Sequence, residues 1–75
     1  VGGLIWTRSL FEDFAAEGML TNDEKTVLKM KIDGCSRVKI ALALHISTSS
    51  VDRIFLKIKR KYMEVAKVRD YPEWQ

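Results

Sequence analysis

The stretch "DGCSRVKIALALHISTSSVDR", residues 33–53, decides how this chain folds. It holds two segments of helical character separated by a short break at "HIS", and each follows a hydroxyl residue of capping type. Ser36 is the N-cap of the first, which runs to about Leu44 with Val38, Ile40, Ala41, Leu42 and Leu44 as its apolar residues. Ala41 and Ala43 are small enough to let another helix come close. Ile46, inside the break, is an apolar plug of the kind that fixes two helices at a steep angle. Ser47 or Thr48 then caps the second segment.

Beyond the break the pattern is long. Between Ser49 and Arg69 there is no proline or glycine, which predicts a fourth helix running on through Met63, Val65 and Val68. At about 100° per residue, Val51, Ile54, Phe55, Ile58, Tyr62 and Val65 share one face. Ser49, Arg53, Lys57 and Arg60 share the opposite face, with Lys61 between the two and Asp52 and Leu56 on a flank.

Before the break, "LTNDEKTVLKM" (residues 20–30) marks a second helix. Thr21 with Glu24 three residues on is a capping box, Leu20 is a partial hydrophobic staple, and Asp23 and Glu24 sit where the helix dipole favours negative charge. Val27, Leu28 and Ile32 form its apolar face with Met30 at the edge, and Gly34 closes it at positive φ. A first helix is expected over roughly residues 4–17. Leu10, Phe11, Phe14 and Ala15 lie on its core side, extended by Ile5 and Trp6, and Glu12, Asp13 and Glu17 lie opposite. Gly18 is its natural stop. Sustained alternation and Asn-Gly hairpin signals are missing, so the chain reads as a small all-α four-helix domain.

Composition agrees with a small folded chain. Its 75 residues are 47% hydrophobic and 31% charged, enough for one domain with a marginal core. The net charge of +3 conceals an asymmetry: residues 1–24 hold one base against five acids, and residues 25–75 hold twelve bases against five acids. Such a basic portion suits either a polyanion partner or a solvated face. A single cysteine, Cys35, allows no internal disulfide, and with the lone His45 it makes no metal set, so no metal or cofactor is expected. No apolar run reaches membrane-spanning length and no segment has signal-peptide order, and the lone Cys35 reads as a reduced, cytoplasmic setting. The chain opens on Val1, so it reads as a trimmed protein or a fragment.

Residues 20–62, "LTNDEKTVLKMKIDGCSRVKIALALHISTSSVDRIFLKIKRKY", resemble the LuxR/GerE-type helix-turn-helix domain. They are similar, more loosely, to the promoter-binding carboxy-terminal domain of bacterial sigma factors. The resemblance is carried by Leu20-Thr21, Glu24, Val27-Leu28, Gly34, Ser36, Ile40-Ala41, Leu44, Ile46-Ser47, Val51, Arg53, Ile58 and Arg60-Lys61. It divides the single domain, residues 1–75, into an extra leading helix (1–18), the matched core (20–62) and a helix extension with tail (63–75). His45 stands where the family usually has glycine, and the family's short closing helix has no clear counterpart.

The resemblance implies a transcription regulator of a bacterium, phage or mobile element that binds double-stranded DNA. Its recognition helix, residues 48–61, would lie in the major groove. Thr48, Ser49, Asp52 and Arg53 would then read bases. Ser36, Arg37, Lys39, Lys57, Arg60 and Lys61 would meet phosphates. Each residue also has a plainer reading: Thr48 and Ser49 as caps, Asp52 as a dipole partner, Lys57 and Arg60 as a solvated face. Catalysis is not expected, since there is no Gly-rich phosphate loop and no nucleophile paired with a base. The competing class is a protein-binding adaptor that uses Trp6, Leu56, Trp74 or the long helix, for example against RNA polymerase. The apolar run Met63, Val65, Val68 either makes a homodimer surface with the first helix or is covered within a monomer by Phe11, Phe14 and Trp6.

Overall fold

A computed structural model describes residues 6–74. Four helices follow in order, α1 (Arg8–Glu17), α2 (Asn22–Ile32), α3 (Arg37–Leu44) and α4 (Thr48–Ala66), with no strand among the described residues. Each starts on a hydroxyl cap. Thr7, Thr21, Ser36 and Ser47 accept, through their side-chain oxygens, the N–H groups of Leu10, Glu24, Lys39 and Ser50. The capping box at α2 is complete, with Thr21 N–H donating to the Glu24 carboxylate at 2.9 Å.

The first three helices end by one device. The N–H of Leu20, Cys35 and Ile46 reaches back to the carbonyl of Ala15, Met30 and Ala41, and the residue before each takes positive φ. This is the Schellman closure, and its left-handed position is filled by Met19, Gly34 and His45, so glycine occurs at only one of the three. His45, at φ 57° and ψ 43°, does take up the left-handed conformation that the turn demands. Gly18 serves differently from the sequence expectation: its φ is −82°, and a Cβ there would lie 2.9 Å from the Phe14 ring. It is small so that the chain can leave α1 over Phe14, and the left-handed turn falls on Met19.

Helix α4 is the element on which the other three pack. Val51, Ile58 and Tyr62 are buried, and Ile54, Phe55 and Val65 are half-buried, which is the face read from the sequence. They meet Val27 and Leu28 of α2, Ile40 and Ala41 of α3, and Phe14 and Ala15 of α1 in one apolar cluster. Helix α2 runs antiparallel to α4: Glu24, near its start, holds Lys61, and Lys31, near its end, lies over the Phe55 ring at 5.7 Å.

Two expectations are corrected, at the start of α1 and at the end of α4, and two apolar residues of α3 find their place. Helix α1 begins at Arg8 with Thr7 as its cap, and Trp6 precedes it; residues 4 and 5 of the expected span lie outside the described residues. Val38 and Leu42 of α3 stand out in solvent, Leu42 72% exposed, because Ile40 and Ala41 fill the side of that short helix facing α4. Helix α4 stops at Ala66, where the backbone turns at Lys67, Val68 and Arg69, so Val68 is not part of an extended apolar helix face.

After that turn the tail folds back. Tyr62 is the hub of an aromatic cluster: its ring centroid lies 5.2 Å from Phe14 and Trp74, 5.3 Å from Tyr71 and 5.6 Å from Trp6. The Tyr62 hydroxyl donates to the Pro72 carbonyl, and burial pushes its pKa up. The Tyr71 hydroxyl donates to Asp13, and Arg69 pairs with Asp13 and Glu17. The acidic leading segment thus closes on the basic remainder within one chain, and Phe14 and Trp6 pack on Tyr62, while Met63 and Val68 of the apolar run to be covered stay exposed. Phe11, also named for that cover, is half-buried against the core cluster.

Candidate nucleic-acid interface

The site begins with the turn. His45, Ile46 and Ser47 alone join α3 to α4. Ile46 is half-buried against the core, as a plug should be, and its N–H closes α3 on Ala41 at 3.0 Å. Ser47, rather than Thr48, caps α4; its oxygen accepts from Ser50 N–H at 3.1 Å and lies 3.0 Å from the Ser50 hydroxyl. Thr48 and Ser49 are therefore the first two helical residues, half-buried and exposed respectively, and neither is the cap.

The outward side of α4 carries Ser49, Arg53, Leu56, Lys57 and Arg60, all exposed. Among the described residues none of Arg53, Lys57, Lys59 and Arg60 pairs with a carboxylate. The first turns of α3 and α4 contain no acid, so the positive ends of both helix dipoles are not neutralised there. The start of α2, with Asp23 and Glu24, is the opposite case.

Two of the expected site residues meet each other. Arg37, at the start of α3, pairs with Asp52 on α4 at 3.4 Å, both more than half exposed. This exposed bridge contributes roughly 0–1 kcal/mol and leaves both side chains open to exchange of partners. Ser36 is engaged as the α3 cap, and Lys39 beside it is exposed.

Lys61 is placed differently. Its ammonium is 2.6 Å from the carboxylate of Glu24, a side chain only 6% exposed. Burial alone pushes the Glu24 carboxyl up, but the Lys61 ammonium and the Thr21 N–H outweigh it and hold its pKa below the ordinary value. Lys61 is thus a link between α2 and α4. A lysine halfway between the two faces of α4 was the sequence signal for such a link, and its partner 37 positions earlier was not readable.

Sequence reasoning also passed over the clasp of Arg69 and Tyr71 on Asp13 and Glu17. Burial and the hydrogen bond to Asp13 push the Tyr71 pKa up to about 12. No helix of the described residues is long and apolar enough to cross a membrane. The chain matches no protein-family model, no curated protein and no solved structure.

Proposed function

We propose that this protein is a sequence-specific double-stranded DNA-binding module of LuxR/GerE helix-turn-helix type, working as a cytoplasmic transcription regulator of a bacterium or phage. The observation that carries the reading is the unneutralised outward face of α4, with Arg53, Lys57 and Arg60 on a helix that follows a three-residue turn and starts without an acid. A helix fits the major groove, and its first turns reach base edges. Thr48, Ser49, Asp52 and Arg53 occupy those turns. Arg53 bidentate to guanine would contribute about 1–3 kcal/mol of discrimination. Lys57 and Arg60 lie one and two turns further on and meet phosphates, with Arg37 and Lys39 at the start of α3 on the neighbouring backbone. Lys61, held by Glu24, positions α4 and leaves the phosphate contacts to the others.

The test is duplex affinity measured across a range of salt. Four phosphate contacts give a slope of log K against log salt of about −3.6. No duplex affinity at ordinary salt would overturn the reading in favour of a protein-binding adaptor, for instance on RNA polymerase. One feature favours that second reading: a groove of about 610 Å³ between the last turns of α4 and the tail, with Met63 and Trp74 in its walls. Selection of bound sequences from a random duplex pool adds the stoichiometry: a palindromic winner means a homodimer on DNA, and a single half-site means a monomer.

A further inference from the structure

The cationic face of α4 has a large apolar side chain at its centre. Leu56 is 48% exposed and lies outside the packed apolar cluster. Its neighbours one turn away in either direction are Asp52, Arg53, Lys59 and Arg60, all exposed. Ser49, two turns earlier, shares its side of the helix. A leucine so placed adds little to the core, and it keeps water on an apolar surface in the middle of the face that carries Arg53.

The major groove offers one apolar group to such a side chain, the C5 methyl of thymine. We propose that Leu56 is a specificity-determining residue that reads a thymine methyl group. The proposal rests on the DNA-binding reading above and names the base class that it selects. Leu56 is three residues beyond Arg53, about 4.5 Å along the helix axis. One base-pair step is about 3.4 Å. The thymine therefore falls one or two base pairs from the guanine taken by Arg53. The contact buries apolar surface on both partners and needs no hydrogen-bond donor, so it adds preference at a position where the neighbouring arginines would tolerate any base.

The experiment uses the full chain and a duplex selected from a random pool. Each thymine is replaced in turn by deoxyuridine, which removes the methyl group and keeps the base pair. The wild-type protein loses about fourfold in affinity at one or two positions, the equivalent of ~0.8 kcal/mol for one buried methyl group. Leu56→Ala binds the thymine and deoxyuridine duplexes equally at those positions, and Arg53→Ala keeps the difference. Circular dichroism of Leu56→Ala confirms that helix content is retained, as expected for an exposed residue. Tight duplex binding that is indifferent to deoxyuridine at every thymine overturns the Leu56 assignment and leaves DNA binding standing. So does a deoxyuridine penalty that survives in Leu56→Ala. Failure to bind any duplex overturns both readings.

Discussion

Two regions of α4 are treated in opposite ways by the rest of the chain. From Lys61 onward the helix and the turn after it are tied to the rest of the chain: Tyr62 is ringed by Trp6, Phe14, Tyr71 and Trp74, and Lys61, Lys67 and Arg69 each have an acid. On the outward face from Ser49 to Arg60, Arg53, Lys57, Lys59 and Arg60 have no carboxylate among the described residues. The difference shows where this small protein places its acids. Asp13, Glu17 and Glu24 sit on the closed end, so the chain's positive charge accumulates on the other. A folded protein gains little from leaving cations in water. The closed end serves stability, and the open face is the feature on which the DNA-binding proposal rests.

The largest break in this contrast comes from Phe14→Ala. Phe14 is fully buried against Tyr62, and deleting its ring costs about 3–5 kcal/mol. A domain this small has roughly 5 kcal/mol in total, so urea denaturation should find the variant mostly unfolded. Arg53→Ala should leave stability within about 0.5 kcal/mol. It should also remove about 1–3 kcal/mol of preference for the selected duplex over random DNA. Lys57→Ala should instead weaken all duplexes alike and make the salt slope shallower by about 0.9. Equal behaviour of the two variants would erase the division between base reading and phosphate contact.

Lys61→Met probes the boundary between the two regions. It leaves the Glu24 carboxylate buried with only the Thr21 N–H, and the expected loss is roughly 1–2 kcal/mol. That is less than for a fully buried pair, because the Lys61 side chain is about one-third exposed and Thr21 remains. The salt slope of DNA binding should not change, and a decrease of about one would make Lys61 a phosphate contact after all. The pair also sets a pH dependence. The folded pKa of Glu24 is lowered, so its contribution is complete above the ordinary carboxylate value and is lost as pH falls through the depressed one. Acid titration of stability should therefore be shallower in Glu24→Gln than in the wild type.

The smallest effect is expected at the tail. Tyr71→Phe removes one hydrogen bond to Asp13 and should cost about 0.5–1.5 kcal/mol at neutral pH. The raised Tyr71 pKa has the opposite sense to that of Glu24: its contribution is complete below the ordinary tyrosine value of about 10. It disappears as pH rises through the folded value of about 12. Stability between these limits should fall less steeply in Tyr71→Phe than in the wild type.

Much of the fold was determined by local signals. The hydroxyl caps at Thr21, Ser36 and Ser47, the break at His45-Ile46, and the 3.6-residue rhythm of Val51, Ile58 and Tyr62 each act within one or two turns of helix. Local rules therefore sufficed to read four helices and the outward set Ser49, Arg53, Lys57 and Arg60. What they could not reach was any choice made between distant partners. Whether Lys61 faces solvent or Glu24, whether Val38 and Leu42 are core or surface, and where the last helix yields to a turn depend on which surfaces remain uncovered once α4 has been packed. The stop after Ala66 has no proline or glycine to announce it. The chain turns where Arg69 reaches Asp13 and Glu17, and Tyr71 and Trp74 cover Tyr62. The contacts of Arg69 and Tyr71 with Asp13 and Glu17 join residues more than 50 positions apart, and helical periodicity carries no information at that range.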